Sequence, residues 1–210
     1  LHSRQGSPSC SPQRRVLVPV YVELEVEGAL PPEWLPDGNG LLATVPGAAD
    51  DATGNTLITI FRLPPETEPI DAGQIEALEF AWTLDGAWLA YLRRNEANPD
   101  RLDLMLADGD GTNSRLYTSF RAGAFLGWSP DGKQFLYQTD DQVYLGDRDN
   151  KPQVLGNRAS VADPRWLTSD RIIYLLAQDA GWMLVSRDLT GEAVSLLSLP
   201  RDVSYMVTQR

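Results

Sequence analysis

The stretch that decides the fold is GWSPDGKQFLY, residues 127–137. It places one aromatic residue, Trp128, directly before a Ser-Pro-Asp-Gly turn, and two more aromatic residues follow the turn. Pro130 presets the φ angle of a tight turn, and Gly132 supplies the positive φ that closes a hairpin. The stretch therefore predicts a β-hairpin that carries large aromatic side chains on both arms.

The same pattern occurs four times along the chain. Each copy begins with a tryptophan, and successive tryptophans lie 48, 46 and 38 residues apart: Trp34, Trp82, Trp128 and Trp166. An apolar pair follows seven and nine positions after the first three tryptophans, and six and eight after the fourth: Leu41 and Ala43, Leu89 and Tyr91, Phe135 and Tyr137, Ile172 and Tyr174. A repeat of this length is typical of an array of similar small structural units.

A second element follows each hairpin. It is a short apolar strand that runs into an acidic turn, and the copies are Leu104–Gly111, Val143–Asp149 and Met183–Gly191. A closing strand comes next, at 115–118, 153–155 and 193–197. The first unit is irregular, because its strand Thr56–Phe61 runs into Pro64 instead of an acidic turn. Each unit therefore predicts four strands. An Asp-Gly turn follows the first strand in the first three units, the fourth having lost its Gly, and an acidic turn follows the third strand in the last three.

Four strands of this length form a small sheet that cannot bury both of its faces by itself. Stacking such sheets around an axis buries both faces and leaves only short edges exposed. We therefore predict an all-β fold, a β-propeller of four-stranded antiparallel blades, with repeats at about 30–72, 73–120, 121–157 and 158–199. The recurring tryptophans are interpreted as packing residues between adjacent blades rather than as a ligand cage, because a packing rule repeats and a binding site does not. Apolar pairs such as Phe135 and Tyr137 are expected to fill the same space.

Two segments outside the repeats also resemble strands, at Val16–Val26 and Val203–Val207. Either they combine into a closing blade or the chain is part of a larger propeller. Residues 1–15 are polar and rich in Ser and Pro, which predicts a disordered tail or tether. The single cysteine, Cys10, lies in this tail and excludes an intramolecular disulfide. It is interpreted as an incidental residue, since the chain has no apolar segment upstream of it that an acylated lipoprotein cysteine would require.

The overall composition limits the classes of partner. Acidic residues outnumber basic ones by 29 to 18, which gives a formal net charge of −11. A surface this negative repels phosphate backbones, so nucleic acid is not expected as a partner. No apolar stretch has the roughly 18 residues of a membrane-spanning helix, so the chain is not expected to span a membrane.

Three stretches carry a resemblance to a known family: FAWTLDGAWLAYL, LMLADGDGTNSRLYT and FLGWSPDGKQFLYQ. They resemble the WD-like repeat of TolB-type propellers, which also builds the propeller domains of prolyl-oligopeptidases and dipeptidyl peptidases. The resemblance covers residues 30 to 199 approximately. It implies a protein-binding role and an extracytoplasmic location, whether periplasmic, secreted or lipid-anchored.

The residues needed for hydrolysis are missing from the repeats. The only histidine is His2, in the predicted tail, and no G-x-S-x-G motif occurs. Lyases built on related propellers use histidine ligands for their metal. The Asp108–Asn113 segment begins like a calcium loop but lacks the closing glutamate, so an Asp-capped turn is the preferred interpretation. We therefore predict no enzymatic activity, no catalytic residues, no cofactor and no metal.

The leading functional hypothesis is a non-enzymatic protein-interaction scaffold. Two insertions, Pro46–Asn55 and Arg93–Arg101, differ between repeats and are candidate contact loops, although tolerated surface insertions would look the same. No individual partner-binding residue is identified from the sequence. The alternatives are an accessory or gating propeller of a prolyl-oligopeptidase-like peptidase, and a glycan-binding propeller.

Overall fold

The computed structural model describes residues 33–45, 56–62 and 70–200. The predicted tail, the strand-like segments at 16–26 and 203–207, and the insertion Pro46–Asn55 lie outside these residues, as do His2 and Cys10. Among the described residues, no helix is long and apolar enough to cross a membrane.

Sixteen strands form four antiparallel sheets of four strands each. Sheet 1 consists of β1 (Glu33–Trp34), β2 (Gly40–Val45), β3 (Thr56–Arg62) and β4 (Ile70–Ala77). Sheet 2 consists of β5 (Glu79–Trp82), β6 (Trp88–Arg94), β7 (Leu102–Asp108) and β8 (Arg115–Phe120). Sheet 3 consists of β9 (Ala124–Trp128), β10 (Gln134–Gln138), β11 (Gln142–Asp147) and β12 (Gln153–Asn157). Sheet 4 consists of β13 (Val161–Thr168), β14 (Arg171–Gln178), β15 (Gly181–Asp188) and β16 (Ala193–Leu199).

Within each sheet the strands pair in chain order, so each sheet is a simple meander. The first strands of successive sheets contact one another, β5 with β9 and β9 with β13. These strands form the inner edge of the array, and the fourth strands form its outer edge. The predicted fold class, an all-β propeller of four-stranded antiparallel blades, is confirmed. The four described sheets follow one another as an open array and do not close into a ring. The last strand of sheet 1 ends at Ala77, beyond residue 72, where the first repeat was expected to end.

Three hydrophobic cores lie between consecutive sheets, and the strands of sheets 2 and 3 supply alternate residues to the two cores beside them. Between sheets 1 and 2, Leu89 and Tyr91 pack against Ile58 and Ile60. Between sheets 2 and 3, Phe135 and Tyr137 pack against Leu104 and Leu106. Between sheets 3 and 4, Ile172 and Tyr174 pack against Leu136 and Leu145. In all three cores, the apolar pair found in the repeat lies between adjacent sheets, as predicted, and it faces the preceding one.

The tryptophans tie successive sheets together by hydrogen bonds as well as by packing. The indole Nε1 of Trp128 donates to the carbonyl oxygen of Ala81 at 2.9 Å, and that of Trp166 donates to Gly127 at 3.2 Å. Each acceptor is the residue directly before the tryptophan of the preceding sheet. Trp82 instead donates to Gly109 of its own sheet at 2.8 Å.

The prediction that all four tryptophans fill the space between adjacent sheets is wrong for Trp34, which is 65% exposed. Trp34 lies in sheet 1, and no sheet precedes sheet 1 within the described residues. Its indole therefore has no preceding strand to contact there.

The Asp-Gly turns also touch from sheet to sheet. Gly132 has φ +67°, as the turn was predicted to require, and a Cβ at this position would lie 2.8 Å from Cγ2 of Thr83 in the equivalent turn of sheet 2. Gly86 approaches Asp37 of sheet 1 in the same way: a Cβ added at Gly86 would lie 2.9 Å from the Cβ of Asp37. Gly38 has φ +71° but would meet nothing within 4 Å. The turn glycines of sheets 2 and 3 thus serve both the hairpin and the junction.

Candidate functional site

The acidic turns that follow the third strands are self-capped. Asp110 Oδ1 accepts hydrogen bonds from the backbone and hydroxyl groups of Thr112 at 3.0 and 2.6 Å. Asp188 Oδ1 does the same with Thr190 at 3.0 and 2.7 Å, and this capping holds the pKa of Asp188 below its usual value. The carboxylates therefore satisfy their own turns. Among the described residues, no three His, Cys, Asp or Glu side chains group closely enough to hold a metal ion.

The described part of the chain has a groove along β8, the outer strand of sheet 2. Two adjoining cavities, of 390 and 360 Å³, form this β8 groove. They share Thr118, Tyr137 and Pro152, so one continuous depression runs from the start of β8 to just past its end. Sheet 3 forms its other wall, through the turn that joins β11 to β12. The groove lies at the outer edge of the junction between sheets 2 and 3.

Stacked tyrosine rings form the floor of the β8 groove. Tyr137 lies parallel to Tyr144, with ring centroids 4.9 Å apart, and Tyr117 meets Tyr137 edge-on at 5.8 Å. Tyr117 also contacts Phe135 at 5.0 Å, which joins the floor to the core between the sheets. Aromatic pairs of this geometry stabilise the positions of their rings by more than the burial of their surface area accounts for. The floor is therefore rigid.

The hydroxyl of Tyr137 is the polar group at the centre of this floor. Tyr144 donates to Gln142 at 2.7 Å, and Tyr117 accepts from the backbone N–H of Asp147 at 3.3 Å. Tyr137 is only 2% exposed, lines both cavities, and forms no hydrogen bond within the described residues. Burial, together with its tyrosine neighbours, raises the pKa of Tyr137 well above its usual value, so this hydroxyl stays protonated. It is a donor that no acceptor among the described residues engages.

Five cationic side chains line the β8 groove: Arg101, Arg115, Arg121, Arg148 and Lys151. None of the five has a carboxylate within 4.0 Å among the described residues. Two carboxylates also line it, Asp140 and Asp149, and Asp140 accepts the backbone N–H groups of Arg121 and Ala122 at 3.1 and 2.7 Å. A groove with excess positive charge on a protein of net charge −11 is a local reversal of sign.

Three of these arginines are held in place by neutral groups. Arg101 donates to the carbonyl oxygen of Ser119 at 2.7 Å, and Arg115 donates to the carbonyl oxygen of Arg148. The guanidinium of Arg148 lies 4.3 Å from the ring centroid of Trp88, while its buried Nε has no hydrogen-bond partner. Carbonyl and ring contacts position a guanidinium without neutralising its charge. The cations therefore remain able to bind an anion.

A buried carboxylate supports the end of the groove nearest Arg101. Asp103 is 3% exposed, accepts two hydrogen bonds from Asn95 at 3.1 and 3.0 Å, and accepts the hydroxyl of Ser119. Arg93 lies 3.9 Å from the same carboxylate. Because Ser119 also accepts from Arg101, this network fixes both the loop before β7 and the end of β8.

The predicted contact loops have different outcomes. Pro46–Asn55 lies outside the described residues, and Arg93–Arg101 forms a compact turn in which Asn95 Oδ1 accepts the N–H of Asn98 at 2.8 Å. Of that second loop, only Arg101 lines the groove. Sequence reasoning missed the other cations, which come from a strand and two turns. The available signal was two segments with two basic residues each: RLYTSFR (115–121), which includes β8, and DRDNK (147–151), which precedes β12.

No protein-family model and no curated protein matches this sequence. Solved structures do match it. The β-propeller domain of the Trilobed protease from Pyrococcus furiosus is 16% identical, with a TM-score of 0.57, and the match covers 81% of this chain and 57% of that one. That domain is described as having an open velcro topology.

Two other matches come from different classes of protein. A protein assigned as TolB from Agrobacterium tumefaciens is 20% identical, with a TM-score of 0.50, over 80% of this chain and 61% of that one. The acylaminoacyl peptidase of Pyrococcus horikoshii is 15% identical, with a TM-score of 0.55, over 81% of this chain and 32% of that one. The chain thus spans less than two thirds of each of the three structures. The predicted resemblance to TolB-type and peptidase propellers is confirmed as a likeness in fold.

Proposed function

We propose that this chain is a non-enzymatic β-propeller module that binds a protein partner in the β8 groove. The observation that carries the proposal is the combination, in one groove, of five cations without carboxylate partners and the unpartnered hydroxyl of Tyr137. All of these groups are hydrogen-bond donors without a carboxylate partner among the described residues, and they line the same depression, which suits an anionic ligand.

Position and rigidity also support a binding role for the groove. The groove lies between two sheets whose shared core includes the fully buried Phe135, so its walls are anchored. Binding to a preformed groove avoids the entropic cost of ordering it. The groove combines the rings of Tyr117, Tyr137 and Tyr144 with four arginines. Interfaces commonly combine aromatic residues and arginines in this way.

The non-enzymatic part of the proposal rests on the inventory of side chains. The only histidine is His2 and the only cysteine is Cys10, and neither belongs to the repeats. In the β8 groove the hydroxyl of Ser119 donates to the Asp103 carboxylate, but no histidine or cysteine lines either cavity. An extracytoplasmic location stays a prediction of the sequence resemblance.

The test is a comparative capture experiment with the full chain as bait. The double variant Arg121→Glu and Lys151→Glu reverses two exposed groove cations that make no side-chain contact among the described residues. The matched control is Arg158→Glu, an exposed arginine outside both cavities. We expect a partner that the wild type and Arg158→Glu recover equally and that the double variant loses.

If every protein recovered by the wild type is also recovered by the double variant, the groove is not the partner site and the proposal fails. Catalysis is tested separately, by incubating the chain with peptide and ester substrates. Turnover that survives removal of contaminating hydrolases would contradict the non-enzymatic assignment.

A further inference from the structure

Resting on the proposed function, we infer that the β8 groove binds an extended acidic peptide segment that pairs with the free edge of β8. The inference concerns the chemistry of the partner. It follows from the pairing of β8, the distribution of charge along it, and the direction in which an added strand would place its side chains.

The edge of β8 is available for pairing. Among the described residues β8 hydrogen-bonds only to β7, with a β-bulge at Tyr117, and it is the outermost strand of sheet 2. An unpaired edge presents a row of N–H and C=O groups that an extended peptide can complete as a further strand. β8 has six residues, so its edge is about 20 Å long, enough for a short peptide.

An added strand would direct half of its side chains into the groove. Side chains alternate between the two faces of a sheet, so every second residue of the peptide would point towards sheet 3. On β8 itself, Arg115, Thr118 and Phe120 already lie on that face, as their pairing with the groove-facing side of β7 shows. The peptide side chains would lie above the tyrosine floor.

The charges on the walls select acidic side chains at those alternate positions. Arg115, Arg148 and Lys151 line one end of the groove, and Arg101 and Arg121 line the other. The hydroxyl of Tyr137, which lines both cavities, can donate between them. Arginine binds carboxylates through charge-assisted, often bidentate hydrogen bonds, which makes a carboxylate a better ligand than a neutral amide. A long polyanion is disfavoured by the net charge of −11 outside the groove.

The test measures binding of a fluorescent synthetic peptide that alternates threonine and glutamate. Three probes accompany it: the same peptide with glutamine for glutamate, the same peptide N-methylated at alternate residues, and an acidic oligosaccharide with the same number of carboxylates. We expect the acidic peptide to bind at least about tenfold more tightly than all three, with affinity falling as salt is raised. Arg121→Glu with Lys151→Glu should weaken binding by about tenfold or more, and Arg158→Glu should leave it unchanged.

Tyr137→Phe provides a second variant that removes one oxygen and preserves packing. We expect the peptide affinity to fall by about threefold to tenfold, because one charge-assisted hydrogen bond is lost. Equal binding of the N-methylated peptide would overturn strand pairing, and equal binding of the oligosaccharide would overturn the peptide class. Peptide affinity that is unchanged in the double variant would overturn the site.

These outcomes are separate from those of the capture experiment. A partner lost by the double variant, with no peptide binding, leaves the proposed function standing and removes this inference. If the peptide binds in the groove but no partner is captured, the proposed function is removed and the groove's preference for acidic peptides stands.

Discussion

Sheets 1 and 3 carry nearly the same five-residue motif, WLPDG at 34–38 and WSPDG at 128–132, in different surroundings. In sheet 3 the indole of Trp128 donates to Ala81 of sheet 2, and Gly132 lies against Thr83. In sheet 1 the indole of Trp34 is 65% exposed, and Gly38 has open space around it. The hairpin itself forms in both sheets. The comparison shows that the motif performs two tasks, and that only the second one needs a preceding sheet.

The largest expected effect is at the aromatic residue that follows the turn. Phe135 is fully buried and contacts the rings of Tyr117 and Trp128 at 5.0 and 5.2 Å. We expect Phe135→Ala to lower the free energy of unfolding by about 3 to 5 kcal/mol, because it leaves a cavity in the junction. Trp34→Ala removes an exposed ring from sheet 1 and should change the free energy of unfolding by less than about 0.5 kcal/mol. Urea unfolding measures the stability of both variants. If they lose similar amounts of unfolding free energy, the junction does not depend on Phe135 more than sheet 1 depends on Trp34.

The next effect separates the two tasks of the turn glycine. Both Gly38→Ala and Gly132→Ala force an alanine into a positive φ, at a cost of about 1 to 2 kcal/mol. Only Gly132→Ala also drives a Cβ to within 2.8 Å of Thr83, whose buried side chain is held by its own hydrogen bonds. We therefore expect Gly132→Ala to cost about 1 to 3 kcal/mol more than Gly38→Ala. Equal destabilisation in thermal or urea unfolding would show that the turns do not contact across the junction.

A smaller effect tests the indole hydrogen bond alone. Trp128→Phe keeps an aromatic ring but leaves the carbonyl oxygen of Ala81 without its donor, at an expected cost of about 1 to 3 kcal/mol. Trp34→Phe is the matched control and should change the free energy of unfolding by less than about 0.5 kcal/mol. A loss at Trp128 no larger than at Trp34 would mean that ring packing, and not the hydrogen bond, joins the sheets.

The smallest effect concerns a hydroxyl that sheet 1 lacks. Thr83 Oγ1 donates to Asp85 at 2.6 Å and accepts from the backbone N–H of Trp88 at 3.0 Å, whereas sheet 1 has Leu35 at this position. We expect Thr83→Val to lower the free energy of unfolding by about 1 kcal/mol at neutral pH.

The effect of Thr83→Val should also depend on pH. The hydrogen bond from Thr83 and that from the backbone of Ala87 lower the pKa of Asp85 below its usual value. A lowered pKa in the folded state stabilises the protein above the unfolded pKa, and this contribution is lost as the pH falls through the folded value. The difference between wild type and Thr83→Val should therefore shrink below about pH 4. Urea unfolding at pH 7 and pH 3 checks this, and a constant difference would contradict it.

The sequence was sufficient to predict the sheets because their determinants repeat. The Asp-Gly turns, the apolar pairs such as Phe135 and Tyr137, and the acidic turns recur at similar spacing, and each is a local signal. The hydrogen bonds from Trp128 and Trp166 follow from the same repetition once the sheets are stacked. The exposure of Trp34 could not be predicted, because it depends on which unit lies before it.

The β8 groove was not predictable in the same way. Its cations belong to segments far apart in sequence, from Arg101 to Lys151, and they come together only when sheets 2 and 3 meet. Tyr137 was correctly identified as a packing residue, but its ring and its hydroxyl have different surroundings. A pattern of hydrophobicity describes the ring and carries no information about the oxygen.

The hydrogen bonds from the indoles of Trp128 and Trp166 to the preceding sheet both end on main-chain oxygens. Every residue type supplies such an oxygen, so the acceptor side requires no particular side chain. A unit whose tryptophan is placed as these two are therefore needs no compensating substitution in the sheet before it. The bond also has a direction, from later unit to earlier unit, which gives the array a head and a tail.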